Sequence, residues 1–142
     1  MKVNAIDHIC FVVRDLEASV EAYRQTLGVE PDGWYTAESE SIRVARFYLG
    51  NVALELMEPT CPDSEVGRFL EKKGEGFFLI SYRVDDVAEG LKELQNRGEF
   101  TIDKKPRELM GNRYAFIQPP AKLGGVLTEI LDGEFDRSYD EQ

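Results

Sequence analysis

The chain has 142 residues, of which 27 are acidic and 17 basic, giving a formal net charge of −10 and an isoelectric point near 4.6. That charge repels phosphate backbones and anionic lipid heads, so nucleic acid and membrane surfaces are not the expected partners. With 42% hydrophobic and 31% charged residues the composition is that of an ordinary globular domain. No apolar run approaches the roughly 20 residues that cross a bilayer. Met1-Lys2-Val3-Asn4 does not open a signal peptide, and the expected location is the cytoplasm.

In chain order, the first element is an apolar strand around His8-Ile9-Cys10-Phe11-Val12-Val13. Alternation along a strand puts His8, Cys10 and Val12 on one face and Ile9, Phe11 and Val13 on the other. The wholly apolar Ile9 face suits a helix layer, which turns His8 and Cys10 the opposite way. Asp15 is the N-cap of a helix carrying Leu16, Val20, Tyr23 and Leu27 at helical spacing, and Gly28 closes it. Residues 43–49 and 52–56 read as strands split by Gly50-Asn51, a hairpin signal. Leu54 and Leu56 pack toward the helix, leaving Ala53, Glu55 and Met57 on the His8 side. Pro62-Asp63-Ser64 starts a short helix that buries Val66, Phe69 and Leu70 and ends near Gly74. A second strand over 79–84 runs into Asp86, the N-cap of a helix with Val87, Leu91 and Leu94 that ends at Gly98. Residues 113–117 and 126–131 complete the strands, and the acidic tail from 133 to 142 is expected to fray.

The two halves repeat. The stretch from His8 to Leu16 resembles the stretch from Leu79 to Val87 at a constant offset (79 − 8 = 71), each half reading as strand, aspartate, helix, strands. Val-Ala-Leu-Glu-Leu in one half corresponds to Val-Leu-Thr-Glu-Ile in the other, so Glu55 and Glu129 are repeat equivalents. Only one histidine and two cysteines, Cys10 and Cys61, are present. A four-ligand structural zinc site of cysteine, or of two cysteines and two histidines, is excluded. No nucleophile-elbow motif accompanies His8. Cys10 lies within the apolar strand and reads as a buried core thiol.

These residues resemble the vicinal-oxygen-chelate superfamily of glyoxalases, bleomycin-resistance proteins and dioxygenases, with a flavour of the methylmalonyl-CoA epimerases. The resemblance rests on Asp7-His8-Ile9, the helix from Asp15 to Gly28, Leu54-Glu55-Leu56-Met57-Glu58-Pro59, the segment from Phe69 to Gly76, Tyr82-Arg83-Val84-Asp85-Asp86-Val87 and Gly124-Gly125-Val126-Leu127-Thr128-Glu129. It implies an α+β fold of two βαβββ modules, whose curved sheets form a cup with the helices packed outside. The chain then divides into a first module (1–59), a linker helix (60–76), a second module (77–132) and an acidic tail (133–142). It also implies a homodimer.

What the resemblance implies for the site is a divalent metal ion (Mn, Co, Ni, Fe or Zn) held by His8, Glu55 and Glu129, with Glu129 also the proton-transfer group. Cys10, Met57 and Leu79 are placed in the substrate pocket. Leu79 departs from the pattern, because the family's second histidine belongs there and leucine cannot bind a metal. Taken without the family, the favoured reading of His8 is a half-buried histidine held by a backbone carbonyl, and each of the two glutamates reads as a solvent-facing residue on an edge strand. Two function classes follow. One is metal-assisted proton abstraction next to a carbonyl, in an epimerase or lyase acting on an acyl thioester or an α-hydroxy or α-keto compound. The other is a small-molecule-binding protein of the bleomycin-resistance type with a metal-free pocket.

Overall fold

The computed structural model describes residues 1–140. Its elements in chain order are β1 (Val3–Val12), α1 (Leu16–Leu27), β2 (Gly33–Ala37), β3 (Ile42–Leu49), β4 (Val52–Pro59), α2 (Glu65–Lys73), β5 (Gly76–Val84), α3 (Val87–Asn96), β6 (Arg107–Leu109), β7 (Asn112–Gln118) and β8 (Leu127–Gly133). The order β-α-β-β-β thus occurs twice with α2 between, and the fold is α+β and glyoxalase-like. No helix of the described residues is long and apolar enough to cross a membrane.

The chain forms two compact units that do not follow its halves. One comprises Met1–His8 with Leu79–Arg137, and the other Ile9–Phe78 with the described residues from Ser138 onward. In the second of these, β2, β3 and β4 pair antiparallel, with Gly33 opposite Arg46 and Arg46 opposite Glu55. In the first, β5 pairs parallel with β8, and β8 antiparallel with β7, which in turn pairs antiparallel with β6.

Each helix covers one strand face. Leu16 and Val20 of α1 pack on Val13, Ala45, Phe47, Leu54 and Leu56, joined by Ile9 and Phe11. Val87 and Leu91 of α3 pack with Val84, Ala115, Ile117 and Ile130. The faces expected from alternation are therefore those observed around α1, except that Leu27 ends the helix 62% exposed, because its turn reaches beyond the strands. Phe69 and Leu70 of α2 are half-buried, and only Val66 of the expected trio is buried.

The helix starts show the repeat more sharply than the sequence does. Asp15 accepts from the Ala18 N–H and Asp86 from the Glu89 N–H, both at 3.0 Å. A second carboxylate then reaches each helix from the last strand of the module. Glu58 accepts from the Leu16 N–H at 3.1 Å and Asp132 from the Val87 N–H at 2.7 Å. Glu58 and Asp132 are separated by the same interval as the glutamate pair (132 − 58 = 129 − 55 = 74). Two of the four free N–H groups at each helix start are thereby satisfied, and two carboxylates face each positive helix end. The tail departs from the expected fraying: a turn at Arg137–Tyr139 delivers Asp140 to Arg46 at 2.8 Å. Residues 141 and 142 of the predicted tail lie outside the described residues.

Replacing Asp15 by alanine removes one of the two caps of α1 and is expected to cost about 1 kcal/mol. Urea unfolding should show a lower midpoint with an unchanged slope.

Candidate functional site

The strand faces turned away from the helices are also buried, and they carry the charged groups. In the unit formed by Met1–His8 and Leu79–Arg137, His8 is 9% exposed and Glu129 5% exposed. The imidazole is held from one side: Nδ1 lies 2.7 Å from the Asp7 carboxylate. Asp7 is gripped in turn by the Arg83 guanidinium through Nε at 3.0 Å and a terminal nitrogen at 2.6 Å, and Arg83 also donates to the Gly133 carbonyl at 2.7 Å. Burial pushes the Asp7 carboxyl up, but the hydrogen bonds and charges of His8 and Arg83 outweigh it and hold the group below its ordinary value. An ionised Asp7 fixes the proton on Nδ1, which directs Nε2 at Glu129, 3.4 Å away.

Around this pair the parallel register of β5 and β8 puts Ser81 opposite Glu129 and Leu79 opposite Leu127. Leu79 is 4% exposed and shares its strand face with Ser81. Ser81 is fully buried and its Oγ has no hydrogen-bond partner among the described residues. Phe116, opposite Glu129 on β7, and Tyr114 meet edge to face with centroids 6.0 Å apart, and the Arg107 guanidinium lies over Phe116 at 4.7 Å.

The corresponding face of the other unit holds Cys10, Tyr35, Arg46, Glu55 and Met57, all buried. Tyr35 donates its hydroxyl to Glu55 at 2.5 Å, and the Cys10 thiol lies 3.9 Å from the other carboxylate oxygen. Burial first, and then the charge and hydrogen bond of Glu55, push the Tyr35 hydroxyl well above the ordinary phenol value. Glu55 is also the cross-strand neighbour of Arg46. Of the sequence-derived residues, His8 and Glu129 meet within one unit, while Cys10 and Glu55 meet within the other; Met57 shares the Glu55 face of β4.

Asp7, Tyr35, Arg46, Ser81 and Arg83 were not singled out from the sequence. Arg46 carried a usable signal, since it interrupts the run Val44-Ala45-Arg46-Phe47 at a position of the same face as Glu55. Asp7 carried another, as a carboxylate adjacent to the only histidine.

A histidine whose far nitrogen is tied to a carboxylate, with a second carboxylate beside its near nitrogen, belongs to a class of sites that hold divalent ions or move protons. The sequence itself places the chain. Residues 7–116 match the family model described as Glyoxalase/Bleomycin resistance protein/Dioxygenase superfamily, and the chain belongs to that superfamily. Among curated proteins it is 34% identical to Uncharacterized protein YqjC of Bacillus subtilis (strain 168), covering 99% of this chain and all of that one. It is 27% identical to Ethylmalonyl-CoA/methylmalonyl-CoA epimerase of Cereibacter sphaeroides, over 90% of this chain and 97% of the other. Among solved structures, a methylmalonyl-CoA epimerase in complex with methylmalonyl-CoA and NH4+ superposes with a TM-score of 0.84 at 32% identity, covering 99% and 100% of the two chains. The Streptomyces coelicolor epimerase in complex with 2-nitronate-propionyl-CoA superposes with a TM-score of 0.83 at 35% identity, over 92% of this chain and 97% of that one.

Tyr35→Phe removes the hydroxyl that satisfies a buried carboxylate and is expected to destabilise the fold by about 1.5–3 kcal/mol, read from denaturant unfolding. Because folding raises the Tyr35 pKa, its stabilising contribution is complete below the unfolded phenol value near 10 and is lost only as the pH rises through the folded value. The absorbance difference between the native protein and Tyr35→Phe should therefore show no phenolate signal at pH 10.

Proposed function

We propose that this protein is an epimerase-type enzyme that removes and returns a proton on the carbon next to the carbonyl of an acyl-CoA thioester of the methylmalonyl kind. The observation that carries this is the Asp7–His8–Glu129 alignment, with His8 Nδ1 tied at 2.7 Å and Nε2 3.4 Å from Glu129. The epimerases among its relatives support the substrate class.

The residues present fit a divalent ion. Two ligands each about 2.0–2.2 Å from one ion stand roughly 3–3.5 Å apart, the spacing of His8 Nε2 and the Glu129 oxygen. The imidazole-carboxylate pair suits Mn, Co, Ni, Fe or Zn. His8 and Glu129 would hold the ion, and a bound ion supplies Lewis-acid polarisation of the thioester carbonyl, which acidifies the adjacent C–H. Glu129 is the proton acceptor and donor. The residue is 5% exposed, so bulk water is kept from the carboxylate. Asp7 positions His8, and Arg83 keeps Asp7 ionised and in place. Glu55, the third ligand derived from the sequence, belongs to the other unit, and its share is measured by the metal affinity of Glu55→Gln. A homodimer in the cytoplasm completes the proposal, with light scattering at micromolar concentration to read the dimer.

Buried Leu79 favours a second reading, a metal-free binding protein, because it puts hydrocarbon where the superfamily's second imidazole is expected. Titration with Mn, Co or Ni separates the two. The enzyme reading expects stoichiometric binding that His8→Ala abolishes, that Asp7→Asn weakens by about 10–100-fold, and that Leu79→His strengthens. No binding by the native protein to any of the three ions would establish the binding-protein reading instead.

A further inference from the structure

Arg46 has no part in the proposed reaction, yet it is among the most deliberately surrounded charges in the molecule. Its guanidinium is 3% exposed and projects from β3 between two tyrosine rings, with its centre 5.1 Å from the Tyr35 ring centroid and 5.5 Å from that of Tyr48. Nε donates to the Tyr48 hydroxyl at 3.1 Å, and a terminal nitrogen donates to the Asp140 carboxylate at 2.8 Å. Burying a guanidinium is costly unless an anion is held against it in good geometry. Glu55 stands opposite on β4, accepts the Tyr35 hydroxyl, and supplies one negative charge that acts on Arg46. The second anion is brought from 94 residues away by the end of the chain.

The floor under that carboxylate is Gly33, the cross-strand partner of Arg46. A Cβ built on Gly33 would stand 2.5 Å from the carboxyl carbon and from both carboxylate oxygens of Asp140. Gly33 is not among the residues with positive φ, so its backbone does not call for glycine. What the missing side chain provides is room for a flat carboxylate against the strand, below a guanidinium fork whose geometry matches it. One wall of this cradle, Tyr48, is 41% exposed, which leaves a way in from solvent.

We propose that Arg46, Gly33, Tyr35 and Tyr48 form a recognition site for a carboxylate-bearing small molecule, which Asp140 of the chain's own tail occupies when no such ligand is bound. The exchange is like for like: one carboxylate leaves the guanidinium as another arrives, and the net charge of the site is unchanged. Occupation by a tethered carboxylate reduces the fraction of molecules open to ligand, and the apparent dissociation constant rises by the inverse of that fraction. The site stands on geometry in one unit and does not depend on the proposed proton transfer.

The test uses calorimetric titration of the full chain with malonate, with malonamide as the uncharged control. Asp140→Asn, a change near the chain end that leaves the helices and strands intact, is expected to bind malonate at least tenfold more tightly than the native protein. Malonamide should bind neither. Adding Arg46→Lys to Asp140→Asn keeps the positive charge but removes the fork and should reverse the gain. Equal malonate affinity in the native protein and Asp140→Asn, absence of malonate binding to both, or equal binding of malonate and malonamide would each overturn the proposal.

Discussion

The arrangement depends on one constraint: strand side chains alternate between two faces, and helices cover only one of them. In both units the clusters packed under the helices are apolar, as in Ala45, Phe47, Leu54 and Leu56 under α1 and Ala115, Ile117 and Ile130 under α3. Every buried charge on the strands must then either lie on the opposite face or serve a helix end. His8, Arg46, Glu55 and Glu129 take the first course, and Asp132 the second. Burying ionisable groups is tolerable only when each has a partner. The alternation thus does more than build the sheets, because it sorts the buried charged residues from the apolar core.

The chain of contacts through His8 has a direction. Arg83 holds Asp7, Asp7 holds His8 Nδ1, and His8 Nε2 faces Glu129. Each link removes a degree of freedom from the next, so a histidine that could otherwise rotate or exchange tautomers presents one nitrogen in one direction. The face of the other unit is organised around the opposite sign. There the Arg46 guanidinium stands among Tyr35, Tyr48, Glu55 and Asp140. The fold repeats, but the charged groups of the two faces do not.

Much of this was legible in the sequence because it depends on short-range pattern. Asp15 and Asp86 announced the helices, Gly50-Asn51 the hairpin, and the alternation at Leu54-Glu55-Leu56 the face of Glu55. The short strands β2 and β6 were not read individually, since five and three residues carry too little periodicity to be told from loop. The paired caps from Glu58 and Asp132 are contacts over 42 and 45 residues, and no local signal reveals them. The tail illustrates the same limit. Its acidic composition suggests fraying, and only the tertiary position of Arg46 converts Asp140 into an anchor. Leu79 was visible as a departure, but its register partner Leu127 and the neighbouring buried hydroxyl of Ser81 became evident only with the strand pairing.

The central claim is that Glu129 exchanges a proton on the carbon next to a thioester carbonyl. It is tested most directly by following, by proton nuclear magnetic resonance in deuterium oxide, the loss of the α-hydrogen of methylmalonyl-CoA in the presence of the metal-supplemented protein. Exchange by the native protein above the spontaneous rate, with Glu129→Gln reduced to that rate, is the predicted result. An α-hydrogen that persists at the spontaneous rate with the native protein, or that exchanges equally with Glu129→Gln, would contradict it.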